Sequence, residues 1–248
     1  EAEVLPEDWL NAAPGRRLTS VLIRVEPMPV TEAELLAKLD AWFVPESLAT
    51  SRVVDGAAVI AGDFRIDPAG HMRFAVFVAP GTGPRRVGRI VQRLCEIETY
   101  RAMSMLGLMR SRDLGARLNA LDPKLSALVS GLDDGPAPEA ALHELLTISA
   151  ELESLAVQFS FRFGATAAYE AIVNQRIEVL REARLGGRQT FGEFMMRRYD
   201  PAMRTVKSSE TRLRGMAERA ERAAELLRTR VDVERSAQNQ RLLESMDR

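Results

Sequence analysis

The sequence predicts an α+β fold: a small sheet and hairpin region, then three long helices in an antiparallel array, the last of them stalk-like. Three observations predict this. β-Branched runs are confined to residues 17–79. After Pro84, apolar residues recur at helical spacing, broken only by Gly/Pro clusters at 131–138 and 186–187. A capping box at Thr190 then opens a charged stretch that reaches the last residue with no Gly, Asn or Pro to end it. The expected regions are 1–82, 83–188 and 189–248.

Residues 17–26 form a β-branched run ended by Pro27 and Pro29, hence a strand. Thr31-Glu-Ala-Glu34 is a capping box that opens a short helix through about Trp42. Residues 52–66 and 72–79 are strand-like and flank Asp67-Pro-Ala-Gly70, whose Pro at i+1 and Gly at i+3 suit a type I turn. The pair reads as a β-hairpin, with Asp63, Arg65, His71 and Arg73 on its wet face or at its turn. Pro80-Gly-Thr-Gly-Pro84 lacks the Gly-Lys-Ser/Thr of a phosphate loop and reads as a linker.

One helix is expected from about Pro84 to Asn119, turning or kinking at Asp122-Pro123 because Pro removes a backbone donor, with an extension to Ser130. A polar loop covers 131–138. A second helix follows over about 138–185 and is closed by Gly186-Gly187. The third opens at Thr190, with Pro201 as an expected kink. From Leu213 onward its apolar seam recurs at spacings of 3, 4 and 4: Leu213, Met216, Ala220, Ala224, Leu227, Val231, Leu242 and Met246, with Arg235 and Gln238 as polar members. An eleven-residue repeat gives 3.67 residues per turn and a nearly straight helix. Two coverings fit such a seam: the chain's own helices, or further copies of the chain.

Composition excludes several classes. The chain is 46% hydrophobic and 28% charged, so it is neither disordered nor fibrous. One cysteine, Cys95, excludes a disulfide framework and a Cys-rich zinc site; its apolar neighbours suggest a buried thiol. No run of eighteen apolar residues is present and no signal peptide is visible. The net charge of −1 hides an asymmetry: residues 176–248 carry 17 basic and 12 acidic residues, hence +5 there and −6 before. These charges alternate in sign, which fits a solvated helix face and not a nucleic-acid stripe.

Catalysis near neutral pH usually draws on His, Cys or converging carboxylates. Two histidines exist, His71 and His143; the first reads as a turn residue, the second as a helix-surface residue without the second His of a zinc helix. Glu96 and Glu98 lie near Arg93 and Arg101 at helical spacing, a metal pair or structural ion pairs. Phe159, Phe161, Phe163 and Tyr169 read as core. The residues predict no enzyme and no cofactor.

Three stretches carry a resemblance: Val91-Gln-Arg-Leu-Cys-Glu-Ile-Glu-Thr-Tyr-Arg101; Arg188-Gln-Thr-Phe-Gly-Glu-Phe194 with Pro201-Ala-Met-Arg-Thr205; and Leu227-Arg-Thr-Arg-Val-Asp-Val233 through Gln238-Asn239 to Ser245-Met-Asp-Arg248. They resemble a bacterial family of membrane-anchored proteins, domain of unknown function 3422. The resemblance implies a piece of a longer protein, with two transmembrane helices after the Ser-Met-Asp-Arg segment and this portion on the cytoplasmic side of the inner membrane. The order of elements is also similar to the CorA-type divalent-cation channels. That likeness implies a homo-oligomer, a pentamer in the CorA pattern, with divalent-cation transport; it carries over a shape and no ion-binding residue. The seam residues, Leu227, Val231, Gln238 and Leu242 among them, would then face the symmetry axis, with Arg241 and Arg248 at the headgroup layer. The alternative is a membrane-tethered scaffold that binds another protein and transports nothing.

Overall fold

The computed structural model describes residues 6–131 and 138–246. The chain is α+β, and its elements are α1 (Glu7–Ala12), β1 (Val21–Pro27), α2 (Glu32–Trp42), β2 (Ala49–Val53), β3 (Ala58–Ile66), β4 (Met72–Val78), α3 (Pro84–Ser130), α4 (Pro138–Glu178), β5 (Ala183–Arg184) and α5 (Phe191–Met246). They divide into two compact units. One holds residues 1–103 and 171–197; the other holds 104–170 and 198–248. The interior of the expected 131–138 loop, 132–137, and Arg248 lie outside the described residues.

The first unit is built on a five-stranded sheet of order β1-β4-β3-β2-β5. Strands β3 and β4 are the expected hairpin, closed by Gly70 N–H donating to the Asp67 carbonyl at 2.9 Å. Strand β1 lies parallel to β4, in register from Val21↔Met72 to Pro27↔Val78. The core lies between α2 and the sheet: Leu35, Leu39, Phe43, Val59, Phe77 and Leu185 are all buried there. Trp42 stacks on Phe77 with centroids 5.5 Å apart, and the Arg24 guanidinium lies 4.2 Å from the Trp42 ring centroid. The Thr31 hydroxyl caps α2 by accepting from Glu34 N–H at 3.2 Å.

The structure corrects the expected strand over 52–66. It is two strands, because Val54, Asp55 and Gly56 all take left-handed φ values (52°, 57° and 82°) and reverse the chain. A register shift between Gly62 and Ile66 also puts Phe64 at φ 54°. This bulge turns Asp63 inward, so Asp63 is fully buried, not on a wet face. Its carboxylate accepts from Val44 N–H (3.2 Å) and Arg65 N–H (3.1 Å), with Arg73 at 3.7 Å. The same bulge sends Phe64 to Phe74, Phe191 and Phe194, at centroid distances of 6.0, 4.8 and 5.2 Å. The expected second helix stops early. α4 ends at Glu178, Arg181 turns left-handed at φ 47°, and residues 183–184 add a short edge strand to β2.

The second unit is a three-helix array, and its side-chain bonds give the directions. Arg117 reaches Gln158 and Gly107 packs on Thr166, while Lys207 reaches Glu170 and Arg235 reaches Glu139, so α4 runs antiparallel to both neighbours. Tyr199 bonds Ser104 and Arg219 bonds Asp122, so α3 and α5 run parallel. α3 continues through Pro123 as one helix, so the chain does not turn there. Buried Leu118, Leu121 and Leu125 span the proline, and this packing offsets the lost backbone bond. α5 likewise stays helical through Pro201.

Candidate functional site

α5 begins with the reciprocal capping box that its sequence encodes. Glu193 N–H donates to Thr190 Oγ1, and Thr190 N–H donates to Glu193 Oε2, both at 3.1 Å. Beneath it the Glu182 carboxylate accepts from Gly192 N–H (3.0 Å) and from the Ser51 hydroxyl (3.3 Å). Burial pushes the Glu182 carboxyl above the ordinary glutamate range; the Gly192, Thr190 and Ser51 bonds oppose this, and the Glu193 charge adds to it.

The structure divides the seam of α5. Leu213, Met216, Ala220, Ala224, Leu227 and Val231 are buried against the chain's own helices. Gln238 and Leu242 are exposed, as is Met246. The change falls at Arg235, whose guanidinium donates two bonds to Glu139 in the first turn of α4. Beyond that pair α5 continues for eleven residues, about 16 Å at helical rise. Leu242, Leu243 and Met246 stand 61%, 64% and 82% exposed there. The physical reason is simple: the stripe is periodic in sequence, but the helices that cover it end first.

A polar flank holds α5 in register upstream. Arg212 and Arg219 both bond Asp122, at 3.0 and 2.6 Å. Those two arginines, Arg219 first, hold the Asp122 carboxyl below its usual range. A family model described as a protein of unknown function (DUF3422) matches residues 1–248. The chain belongs to that family. No curated protein and no solved structure matches it.

In this DUF3422 chain α4 and α5 also leave a groove of about 610 Å³ between them. Its walls are small (Ser149, Ala156, Ser160, Ala217), its floor includes Phe163, Leu213 and Ala224, and its rim carries Glu153, Glu210, Glu218, Glu221 and Glu225 against Arg214 and Arg228. Three of those glutamates pair with arginines along α5. Glu153 and Glu221 have no ion pair among the described residues.

The other expected candidates do not converge. Glu96 pairs with Arg176 and Gln92. Partial burial pushes its carboxyl up, but those two bonds and the arginine charges outweigh it, so it sits below the usual range. Glu98 is buried and accepts from Thr19 (2.8 Å) and from both arms of Arg101 (2.8 Å each). His143 is exposed and belongs to the second unit, while Glu96 and Glu98 belong to the first. His71 is half-buried, with Nδ1 2.6 Å from Ser20 Oγ. Burial pushes the Cys95 thiol up, which makes it a poor nucleophile at neutral pH. Phe159 and Phe163 stack in the core at 5.9 Å, but Phe161, expected with them, is 80% exposed. Neighbouring phenylalanines in that Phe-Ser-Phe-Arg-Phe run lie two positions apart, so helical geometry sends the middle one outward. Among the described residues, no group of three or more His, Cys, Asp or Glu side chains is placed to hold a metal ion, and no helix is long and apolar enough to cross a membrane.

Proposed function

We propose that this chain is the assembly domain of a membrane-anchored homo-oligomer, and that copies meet at the far end of α5. The observation that carries the reading is the uncovered continuation of the seam: an apolar stripe buried as far as Val231 emerges as Leu242, Leu243 and Met246. Three large exposed apolar residues within five positions of one helix favour a protein contact over plain solvation. The resemblance to CorA-type channels supports a ring of copies in the bacterial inner membrane, this portion cytoplasmic, with divalent-cation passage as its activity. The basic excess over residues 176–248 suits the cytoplasmic side of a bilayer.

The test is the mass of the full-length protein in mild detergent, with and without Leu242→Asp and Leu243→Asp together. The reading expects an oligomer that the double variant dissociates, and Mg²⁺ or Co²⁺ uptake that falls with it. A monomeric wild-type protein sinks the assembly claim. An oligomer that moves no divalent cation in a deletion strain sinks the transport claim alone. The groove between α4 and α5 favours a second reading, a tethered scaffold. Its small walls, apolar floor and acidic rim suit an apolar helix carrying basic residues.

A further inference from the structure

α3 opens against the usual charge rule. The positive end of a helix dipole favours Asp or Glu, and α2, α4 and α5 each carry one in the first turn. α3 carries none; its first ten residues instead include Arg85, Arg86, Arg89 and Arg93. Arg86, Arg89 and Arg93 fall on one face at i, i+3 and i+7. The end of α4 adds Arg176 and Arg181 to the same place. Arg93 donates to the Val179 carbonyl at 3.2 Å, Arg176 pairs with Glu96, and Arg181 lies 2.7 Å from Asp55. Asp55 also lies 4.0 Å from Arg86, which donates to the Val54 carbonyl at 3.3 Å. Burial first, then the charges of Arg89, Arg176 and Arg181, holds the Arg93 guanidinium below its ordinary value; only Glu96 pulls the other way.

Part of this cluster has a plain structural account. Cations suit the C-terminal end of α4, which explains Arg93 and Arg181, and Arg176 has its own carboxylate. Arg89 has no such account: it is exposed, sits near the positive end of α3, and has no bonded partner among the described residues. Three of the five guanidinium groups, Arg86, Arg176 and Arg181, pair with two carboxylates, Asp55 and Glu96, so the cluster holds five positive charges against two negative ones. Departures from local charge rules with no internal compensation concentrate at functional sites. The planar fork of arginine matches phosphate oxygens two at a time, and a phosphate monoester carries nearly two negative charges at neutral pH.

We propose that Arg86, Arg89, Arg93, Arg176 and Arg181 form a binding site for a phosphate group, offered either by a soluble phosphorylated compound or by a lipid headgroup. This site is separate from the apolar end of α5. The test uses the whole chain at low ionic strength and two probes: pyrophosphate by calorimetry, and phosphatidylcholine vesicles doped with phosphatidic acid by co-sedimentation. Pyrophosphate binding alone assigns a soluble ligand, and vesicle binding alone assigns a headgroup.

Arg89→Glu replaces an exposed side chain that has no hydrogen bond or ion pair among the described residues, and lowers affinity for the responding probe about tenfold or more. Arg204→Glu makes the same net-charge change at an exposed position of α5 and leaves affinity within about twofold. Asp55→Asn removes the counter-charge shared by Arg86 and Arg181. Asn tolerates the left-handed backbone there, and the variant tightens binding about threefold. No binding of either probe by the wild-type chain overturns the site. Equal losses in Arg89→Glu and Arg204→Glu do so as well, since they indicate a response to net charge alone.

Discussion

The two compact units hold themselves together in different ways. In the first, polar groups are buried and bonded across long sequence separations: Asp63 to Val44, Glu98 to Thr19, and Ser51 to both Glu182 and Phe191. In the second, the core is a periodic apolar stripe, and many of the ion pairs that frame it are exposed, among them Lys207–Glu170, Arg212–Asp122 and Arg235–Glu139. A unit of the first kind depends on a few irreplaceable contacts. A unit of the second kind spreads its stability along its length and can lose a surface pair at little cost.

The largest expected effect tests the stripe. Leu227→Ala removes a buried side chain and costs about 2–4 kcal/mol in urea unfolding, whereas Leu242→Ala, on the same seam but exposed, costs less than about 0.5. Equal costs would dissolve the division of α5 at Arg235. Next comes the polar core of the first unit. Glu98→Ala removes a buried carboxylate that Thr19 and Arg101 both bond and costs about 2 kcal/mol, less than for a fully buried pair because a quarter of Arg101 meets solvent. Thr190→Ala breaks the capping box of α5 for about 1 kcal/mol.

A pH series sharpens the same comparison. The Glu182 carboxyl is raised in the folded state, so the fold binds that proton more tightly than the unfolded chain does. Its contribution is complete below the ordinary glutamate value and is lost as pH rises through the raised one. Glu182→Gln keeps an acceptor for Gly192 N–H, and the urea midpoint of that variant should decline less over the same window. Asp122 in the second unit has the opposite sign: its lowered carboxyl contributes above the ordinary aspartate value and loses that contribution as pH falls. Asp122 is a third exposed, so Asp122→Ala costs under about 1 kcal/mol. A loss as large as that of Glu98→Ala would remove the distinction between the units.

What could be read in the sequence follows the range of the forces involved. Both capping boxes, the Asp67–Gly70 turn and the long helices act over three to eleven residues, and each stands where its motif lies. The break between β2 and β3 was also local. Asp55-Gly56 is a turn dipeptide, and the apolar residues around it concealed it. The burial of Asp63 depends on Val44, nineteen residues away, and strand β5 on β2, more than a hundred residues away; no local pattern encodes either. Pro123 misled in the other direction, since three buried leucines outweigh one missing donor. The seam of α5 was legible as a stripe. Its division was not, because that depends on where a neighbouring helix begins. The arginine cluster was hidden for a similar reason: the start of α3 and the region where α4 ends contribute its members from positions more than eighty residues apart.

The placement of β5 has a consequence for synthesis. The outer edge of β2 is completed only by residues 180–191: Thr50 N–H donates to the Gln189 carbonyl, Val54 N–H to Leu180, and the Ser51 hydroxyl accepts from Phe191. At 5–20 residues per second, those partners leave the ribosome roughly 7–27 s after β2 does. For that interval the nascent sheet shows an unpaired edge, the kind of surface on which two chains can join by mistake. Arg52 on that edge strand then places a charge where a neighbouring strand would have to approach.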